Sequence, residues 1–118
     1  MNRGEARNKR IVLVTCPSVA LARKIASAVV EKRLAACVNI MLSPVESVYT
    51  WKGKVERARE YLLVVKTTAK RLADLENEVQ RLHSYDVPEF IAVPITEGAD
   101  KYLSWLGESV AKGPKNCK

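Results

Sequence analysis

The sequence lacks any apolar run long enough to cross a bilayer, which takes about 18–20 consecutive residues. Residues 1–10 are polar and have no apolar segment of the kind found in secretory signals. Motifs for binding nucleotide phosphates, for zinc proteases and for a nucleophile elbow are also absent. These absences argue against a membrane protein and against an enzyme, and we predict neither.

Histidine and cysteine are scarce. The 118 residues include one histidine, His83, and three cysteines, Cys16, Cys37 and Cys117. The cysteines form neither a C-x-x-C pair nor a zinc-ribbon spacing. An odd number of widely separated cysteines is typical of proteins in a reducing compartment. We therefore expect free thiols and a cytoplasmic location.

The net charge of +7 is concentrated at the two ends of the chain. Residues 1–10 and residues 112–118 each carry a net charge of +3, which leaves +1 for the remaining residues. A nucleic-acid partner would require a basic stripe on the folded part, so we do not predict one. We predict disordered basic segments at 1–10 and 112–118 around one folded domain at 11–111.

Hydrophobic spacing predicts an alternation of strands and helices. Strands are expected at 11–16, at 36–51 with an interruption at Ser43-Pro44, at 54–67 and at 90–95, the first and last being buried. Helices are expected from an N-cap at Ser18 to about Arg33, at 72–82 and at 102–110, and Lys52-Gly53 is expected as a hairpin turn. This β-α-β-β-α-β order with an extra C-terminal helix predicts an α+β, ferredoxin-like fold with antiparallel strand order 4-1-3-2.

The predicted topology brings several reactive residues to one edge of the sheet. Cys16, the hairpin at 49–54, His83, Tyr85 and Glu89 share that edge, and Cys37 lies at the opposite one. The hairpin strands are also much longer than the usual 5–6 residues. About half of the paired length of these two strands extends beyond the domain's own core. A second copy of the chain is the simplest structure that could cover the exposed part. We therefore expect a symmetric homo-oligomer.

Two interpretations of Cys16 and His83 are open. A thiolate and an imidazole together suit copper or zinc, although Glu60 or a neighbouring subunit would have to complete the site. Alternatively, Cys16 is a small buried apolar residue, and His83 interacts favourably with the C-terminal end of a helix dipole. Trp51, Lys52 and Lys54 at the hairpin tip suit an anion or a stacked ring; alternatively, Trp51 and Tyr49 fill an interface between subunits.

Six blocks of the sequence together resemble the CutA family of divalent-cation-tolerance proteins. They are V-T-C-P at 14–17, V-E-K-R-L-A-A-C-V-N at 30–39, V-Y-T-W-K-G-K-V-E at 48–56, V-K-T at 65–67, L-H-S-Y-D-V-P-E at 82–89 and Y-L-S-W at 102–105. The resemblance implies a ferredoxin-like homotrimer that binds copper and has no catalytic activity. It also implies metal contacts at Cys16, Cys37 and His83. The implied inter-subunit cleft is lined by Tyr49, Trp51, Lys54, Glu60, Lys66 and Tyr85.

The sequence departs from the family at Arg57 and Arg59, where relatives often carry acidic residues. This weakens the expectation of an acidic cation-binding patch on the predicted strand at 54–67. Two functional hypotheses follow. The first is a homotrimer that binds copper or other divalent metal ions and acts in metal-ion response. The alternative is a signalling or adaptor trimer resembling the PII proteins, which binds a small anion or a protein partner in its inter-subunit clefts.

Overall fold

The computed structural model describes residues 3–111, excluding the side chain of Arg3, so Met1, Asn2 and the predicted tail at 112–118 lie outside the described residues. The elements in chain order are α1 (Arg3–Ala6), β1 (Lys9–Cys16), α2 (Val19–Glu31), β2 (Cys37–Ile40), β3 (Val45–Trp51), β4 (Lys54–Thr68), a 3₁₀ turn (Ala69–Arg71), α3 (Leu72–Leu82), β5 (Ile91–Pro94) and α4 (Asp100–Ala111). None of the helices within 3–111 has the length and apolar character needed to cross a membrane.

Local sequence signals explain where several elements begin and end. Ser18 caps α2, and its side-chain oxygen accepts a hydrogen bond from the backbone N–H of Leu21 at 3.2 Å. Arg33, shortly after α2, has a φ of 58°, which no helical residue adopts. Lys52 and Gly53 have φ values of 52° and 81°. Two successive residues with positive φ make the tight turn that joins β3 to β4, so the predicted hairpin turn is confirmed.

The strands form one antiparallel sheet centred on β4. The order is β2-β4-β1-β5, and β3 pairs with the first half of β4. Cys16 at the end of β1 lies opposite Tyr61, whereas Cys37 at the start of β2 lies opposite Lys66. β2 and β3 are the two parts of the interrupted strand that the sequence predicts around Ser43-Pro44. The mixed α+β class is confirmed.

The main core lies between one face of the sheet and helices α2 and α3. Val12 and Val14 of β1 lie opposite Val65 and Leu63 of β4 beneath these helices, and all four side chains are buried. Helix residues complete the core, namely Ile25 and Val29 of α2 and Leu75 and Val79 of α3. The spacing of 3 and 4 residues along α3 brings its apolar side chains onto one face, as the sequence predicts.

Helix α4 packs on the opposite face of the sheet, near the start of β1. Lys9 lies three residues before Val12 and therefore points to the other face. A Cβ atom added at Gly107 of α4 would lie 3.1 Å from Lys9 Cε, so the helix and this side chain are in close contact. The Arg71 side chain donates to the carbonyl oxygens of Val110 and Ala111, and thereby satisfies the C-terminal end of α4.

Residues 1–10 are predicted to be disordered, but residues 3–10 include helix α1 and the start of strand β1. Ala6 of α1 is fully buried, and β1 begins at Lys9, whose side chain is only 5% exposed. Lys9 is buried along its aliphatic stem, and its amine donates to Asn8 Oδ1 at 2.7 Å. The many charged residues of this segment led to the prediction that it is solvent-exposed. A lysine can nevertheless bury the methylene groups of its side chain while its amine forms a hydrogen bond.

The prediction that the last strand is buried is wrong for this single chain. Among the strands that the structure describes, β5 pairs only with β1, and all four of its residues are exposed. Ile91 and Val93 are 49% and 42% exposed. An apolar sequence predicts that a strand is covered by other apolar groups. It does not predict whether those groups belong to the same chain.

Candidate functional site

A cleft of about 580 Å³ opens at the end of the sheet where β1 ends. We call it the edge cleft. Its lining residues are Thr15, Ser47, Val48, Tyr49, Trp51, Glu60, Tyr85, Asp86, Val87 and Glu89. One wall comes from β3 and β4, the other from the loop that follows α3, and Thr15 of β1 lies between them. The edge cleft combines aromatic side chains with three carboxylates.

Glu60 is the innermost carboxylate of the edge cleft. It lies on β4 opposite Val45 of β3, and only 8% of it is exposed. The Tyr85 hydroxyl donates a hydrogen bond to Glu60 Oε2 at 2.8 Å. Burial of the Tyr85 hydroxyl, followed by its bond to the carboxylate, raises the pKa of Tyr85. Tyr85 therefore stays protonated at any physiological pH and acts as a permanent donor to Glu60.

Glu89 lies at the rim of the edge cleft and is more exposed than Glu60. The walls of the cleft partly desolvate its carboxyl group, and Glu60 adds a like charge. Both effects raise the pKa of Glu89, desolvation being the larger. Asp86, also exposed, adds a third acidic side chain to the same lining. The lining of the edge cleft therefore includes three acidic side chains and no basic one, a composition that favours cations.

His83 follows directly after α3 and is 9% exposed. Its Nε2 lies 2.7 Å from the carbonyl oxygen of Thr15, and its Nδ1 lies 3.1 Å from the backbone nitrogen of Tyr85. A carbonyl oxygen only accepts, so Nε2 carries the hydrogen; a backbone N–H only donates, so Nδ1 accepts. Both ring nitrogens of His83 are therefore occupied by backbone partners.

Cys16 is close to this site but poorly suited to bind a metal ion. The residue is fully buried. Burial, and to a lesser extent the charge of Glu60, raise the pKa of the Cys16 thiol to about 11. In the metal-free protein, Cys16 is therefore a buried, protonated thiol at neutral pH. Cys16 is enclosed in the core and both ring nitrogens of His83 have backbone partners, so in this arrangement neither side chain presents a free ligand atom for a thiolate–imidazole copper site.

Cys37 lies at the other end of the sheet. Its β4 partner, Lys66, is five residues from Tyr61, the partner of Cys16, and this separates the two cysteines by roughly 17 Å along the strands. Lys66 Nζ lies 3.9 Å from Cys37 Sγ and is hydrogen-bonded to Asn39 Oδ1. Within residues 3–111, no group of three or more histidine, cysteine or acidic side chains is arranged to hold one metal ion. The three metal contacts implied by the resemblance therefore do not converge within one chain.

The predicted cleft residues divide into two groups. Tyr49, Trp51, Glu60 and Tyr85 do line the edge cleft, whereas Lys54 and Lys66 are not among its lining residues. Lys54 pairs with Trp51 beside the hairpin turn, and Lys66 lies near Cys37 at the far end of the sheet.

The sequence reasoning did not identify Asp86 as a site residue, and it placed Glu89 at the right edge without a role. The D-V-P-E segment at 86–89 was the available signal, because an acidic loop after a helix at this edge must face the hairpin. The contact between His83 and the Thr15 carbonyl carried no sequence signal, since every residue has a backbone carbonyl.

Comparison with known proteins identifies the family. The family model described as CutA1 divalent ion tolerance protein matches residues 10–109. The chain is 50% identical over 101 residues to the divalent-cation tolerance protein CutA of Thermus thermophilus, covering 86% of this chain and 97% of that protein. It is also 50% identical over 99 residues to the chloroplastic protein CutA of Arabidopsis thaliana, but that match spans only 54% of the plant protein.

Solved structures agree with this comparison. The Thermus thermophilus structure superposes with a TM-score of 0.84 and covers 86% of this chain and 97% of its own. The structure described as the periplasmic divalent cation tolerance protein CutA from Archaeoglobus fulgidus has a TM-score of 0.83 at 40% identity, covering 86% of this chain and 98% of its own. The chain belongs to the CutA1 divalent ion tolerance protein family. The family is named for cation tolerance and not for a catalysed reaction.

Proposed function

We propose that this protein acts as a homotrimer in divalent-cation tolerance and binds divalent cations, copper among them, at the edge cleft without catalysing a reaction. The observation that carries the proposal is the pair of carboxylates, Glu60 and Glu89, in one cleft, where the charge of Glu60 contributes to the raised pKa of Glu89. A divalent cation placed near both carboxylates would relieve that repulsion.

The chemistry of the edge cleft favours hard and borderline cations. Carboxylate and water oxygens bind Mg²⁺, Ca²⁺ and Mn²⁺, and in a given site Cu²⁺ binds more tightly than the other first-row divalent ions. Glu60, Glu89 and Asp86 are the carboxylates that would supply oxygen ligands. Water or a neighbouring subunit would complete the coordination, since one chain alone brings no group of three such ligands within reach of one ion among the described residues.

Assembly as a homotrimer is supported by the surface of the β3–β4 hairpin. The first six residues of β4, Lys54–Arg59, pair with β3 alone, and most of them are exposed. Val48, Trp51 and Val55 of this hairpin are 54%, 50% and 69% exposed. A ladder of this length with apolar side chains in water is a site for pairing with another chain. The order β5-β1-β4-β2, with β3 continuing β2, is also the order that the proposed ferredoxin-like arrangement requires.

A cytoplasmic location remains part of the proposal. Free thiols support it, and Cys16 and Cys37 are both unpaired. Related proteins are described as periplasmic in Archaeoglobus fulgidus and as chloroplastic in Arabidopsis thaliana, so the location differs within the family. Fractionation of the source cells with an antibody against this protein would test it.

Titration of the reduced, metal-stripped protein with Cu²⁺, in competition with a chelator, tests the cation site. Glu60→Gln and Glu89→Gln remove a negative charge from the edge cleft with little change in shape, and each is expected to weaken binding by about tenfold, or about 1.4 kcal/mol. Glu46→Gln is the matched control, because Glu46 is an exposed carboxylate of β3 that forms an ion pair with Arg57 and does not line the cleft.

Equal affinities for the wild type and both cleft variants would remove the edge cleft from the proposal. A thermal shift with a small anion in place of a metal would instead favour the PII-like adaptor. That alternative gains no support from the lining of this cleft, which includes three carboxylates and neither Lys54 nor Lys66.

A further inference from the structure

His83 lies where three parts of the chain meet: the end of β1, the end of α3 and the loop that carries Tyr85. We infer that His83 is a positioning residue and not a metal ligand. Its neutral imidazole ties the backbone of Tyr85 to the end of β1, and this holds the Tyr85 hydroxyl on Glu60 in the edge cleft. The inference rests on the proposed function in so far as the cleft binds a cation.

The hydrogen bonds of the ring define its state. With Nε2 donating to Thr15 and Nδ1 accepting from Tyr85, the imidazole is neutral and carries its hydrogen on Nε2. Thr15 is 6% exposed and His83 is 9% exposed, so water does not readily replace either partner. A metal ion on Nδ1 would displace the Tyr85 N–H. A metal ion on Nε2 would take the hydrogen that the buried Thr15 carbonyl accepts.

Tyr85 links His83 to the edge cleft. The His83 and Tyr85 rings pack with centroids 4.7 Å apart at an angle of 36°. From there the Tyr85 hydroxyl reaches Glu60 Oε2 at 2.8 Å. The backbone and the ring of Tyr85 are therefore both held by His83, and only the hydroxyl contacts the carboxylate. Glu60 is only 8% exposed, so this hydrogen bond fixes the orientation of its carboxylate in the edge cleft.

Three substitutions at His83 separate positioning from ligation. In His83→Asn, the side-chain oxygen can accept from the N–H two residues later, which is the geometry of an Asx turn, so the bond to Tyr85 is retained. His83→Gln can still donate to the Thr15 carbonyl but loses the acceptor for Tyr85. His83→Ala loses both bonds. Tyr85→Phe is the matched control, because it removes the hydroxyl on Glu60 and leaves the backbone bond to His83 in place.

The experiment measures two properties of each variant. The first is the hydrogen-exchange rate of the Tyr85 amide in the metal-free protein, together with the imidazole nitrogen shifts of the wild type, which identify the tautomer. The second is Cu²⁺ affinity by chelator competition. We expect faster Tyr85 amide exchange and weaker binding in His83→Ala and His83→Gln. Both properties should return toward wild type in His83→Asn, and Tyr85→Phe should keep slow exchange while binding more weakly.

Loss of copper binding in His83→Asn with slow Tyr85 exchange would show His83 to be a ligand and would overturn the inference. A hydrogen on Nδ1 in the wild type, or a Tyr85 amide that exchanges rapidly there, would also overturn it. These two readouts use metal-free protein, so they decide the role of His83 even if the wild type fails to bind Cu²⁺ and the proposed function falls. They also decide it if His83→Ala does not fold.

Discussion

Replacing Glu78 tests how well the structure accounts for the stability of the packing between α2 and α3. Glu78 of α3 is only 8% exposed. Arg81 donates to it through Nε at 3.0 Å and Nη2 at 2.7 Å, and Lys32, just after α2, donates at 2.8 Å. The bond from Arg81, followed by that from Lys32, lowers the pKa of Glu78 to about 2 against the opposing effect of burial.

The size of the effect follows from that pKa. A fall from 4.5 to about 2 sets an upper limit of about 3.5 kcal/mol, at about 1.4 kcal/mol per pKa unit. The side chains of Lys32 and Arg81 are 48% and 61% exposed, so solvent screens both ion pairs. We therefore expect Glu78→Gln to lower the free energy of unfolding by about 1–2 kcal/mol at pH 7.

The same interaction predicts a dependence on pH. The pKa of Glu78 is lower in the folded than in the unfolded state, so its stabilising effect is complete above about pH 5 and is lost as the pH falls toward 2. The free energies of the wild type and Glu78→Gln should therefore converge as the solution is acidified. Urea unfolding from pH 7 to pH 3, at one fixed protein concentration because the protein is expected to be oligomeric, measures this difference.

Glu76→Gln is the control for this experiment, since Glu76 is an exposed carboxylate of the same helix. It should change the free energy of unfolding by no more than about 0.5 kcal/mol. If Glu78→Gln proves as mild as Glu76→Gln at pH 7, or if its effect persists unchanged at pH 3, the ion pairs do not stabilise the α2–α3 packing as argued.

Three further perturbations test other parts of the structure. Leu63→Ala should destabilise the protein by about 2–5 kcal/mol in urea unfolding, because it leaves a cavity in the core; a loss below about 0.5 kcal/mol, the usual range for surface substitutions, would contradict the described core. Gly53→Ala should cost about 1 kcal/mol by the same assay, because Gly53 has a φ of 81°, and an unchanged midpoint would mean that the turn adopts another conformation. Cys16 should resist alkylation at neutral pH until the protein is denatured, because burial raises the pKa of its thiol to about 11; rapid labelling of Cys16 in the native protein, located by mass spectrometry, would contradict this.

Features set by local chemistry were predictable from the sequence. Ser18 could be recognised as a cap and Lys52-Gly53 as a turn, because a short polar side chain and a glycine act through their own backbone. The spacing of Leu72, Leu75, Val79 and Leu82 identified α3 with its observed bounds. The topology that followed from these elements correctly separated Cys16 from Cys37 and brought His83 to the end of β1.

Features that depend on tertiary contacts were not predictable in the same way. The burial of Ala6 and Lys9 depends on how the N-terminal segment packs near α4, which charge counting does not capture. The exposure of Ile91 and Val93 depends on β5 being an edge strand. The role of His83 depends on a backbone carbonyl and a backbone N–H, and neither has a sequence signature. A lone histidine beside a cysteine therefore suggested a ligand, whereas its surroundings indicate a positioning residue.

Locating bound copper by anomalous diffraction is the most direct test of the central claim, that divalent cations bind at the carboxylates of the edge cleft. Crystals of the reduced protein grown with Cu²⁺ would be measured on both sides of the copper absorption edge. We predict an anomalous peak beside Glu60 and Glu89, with the bonds from His83 to Thr15 and Tyr85 intact. A peak at Cys16 or on a ring nitrogen of His83, with none in the edge cleft, would contradict the account.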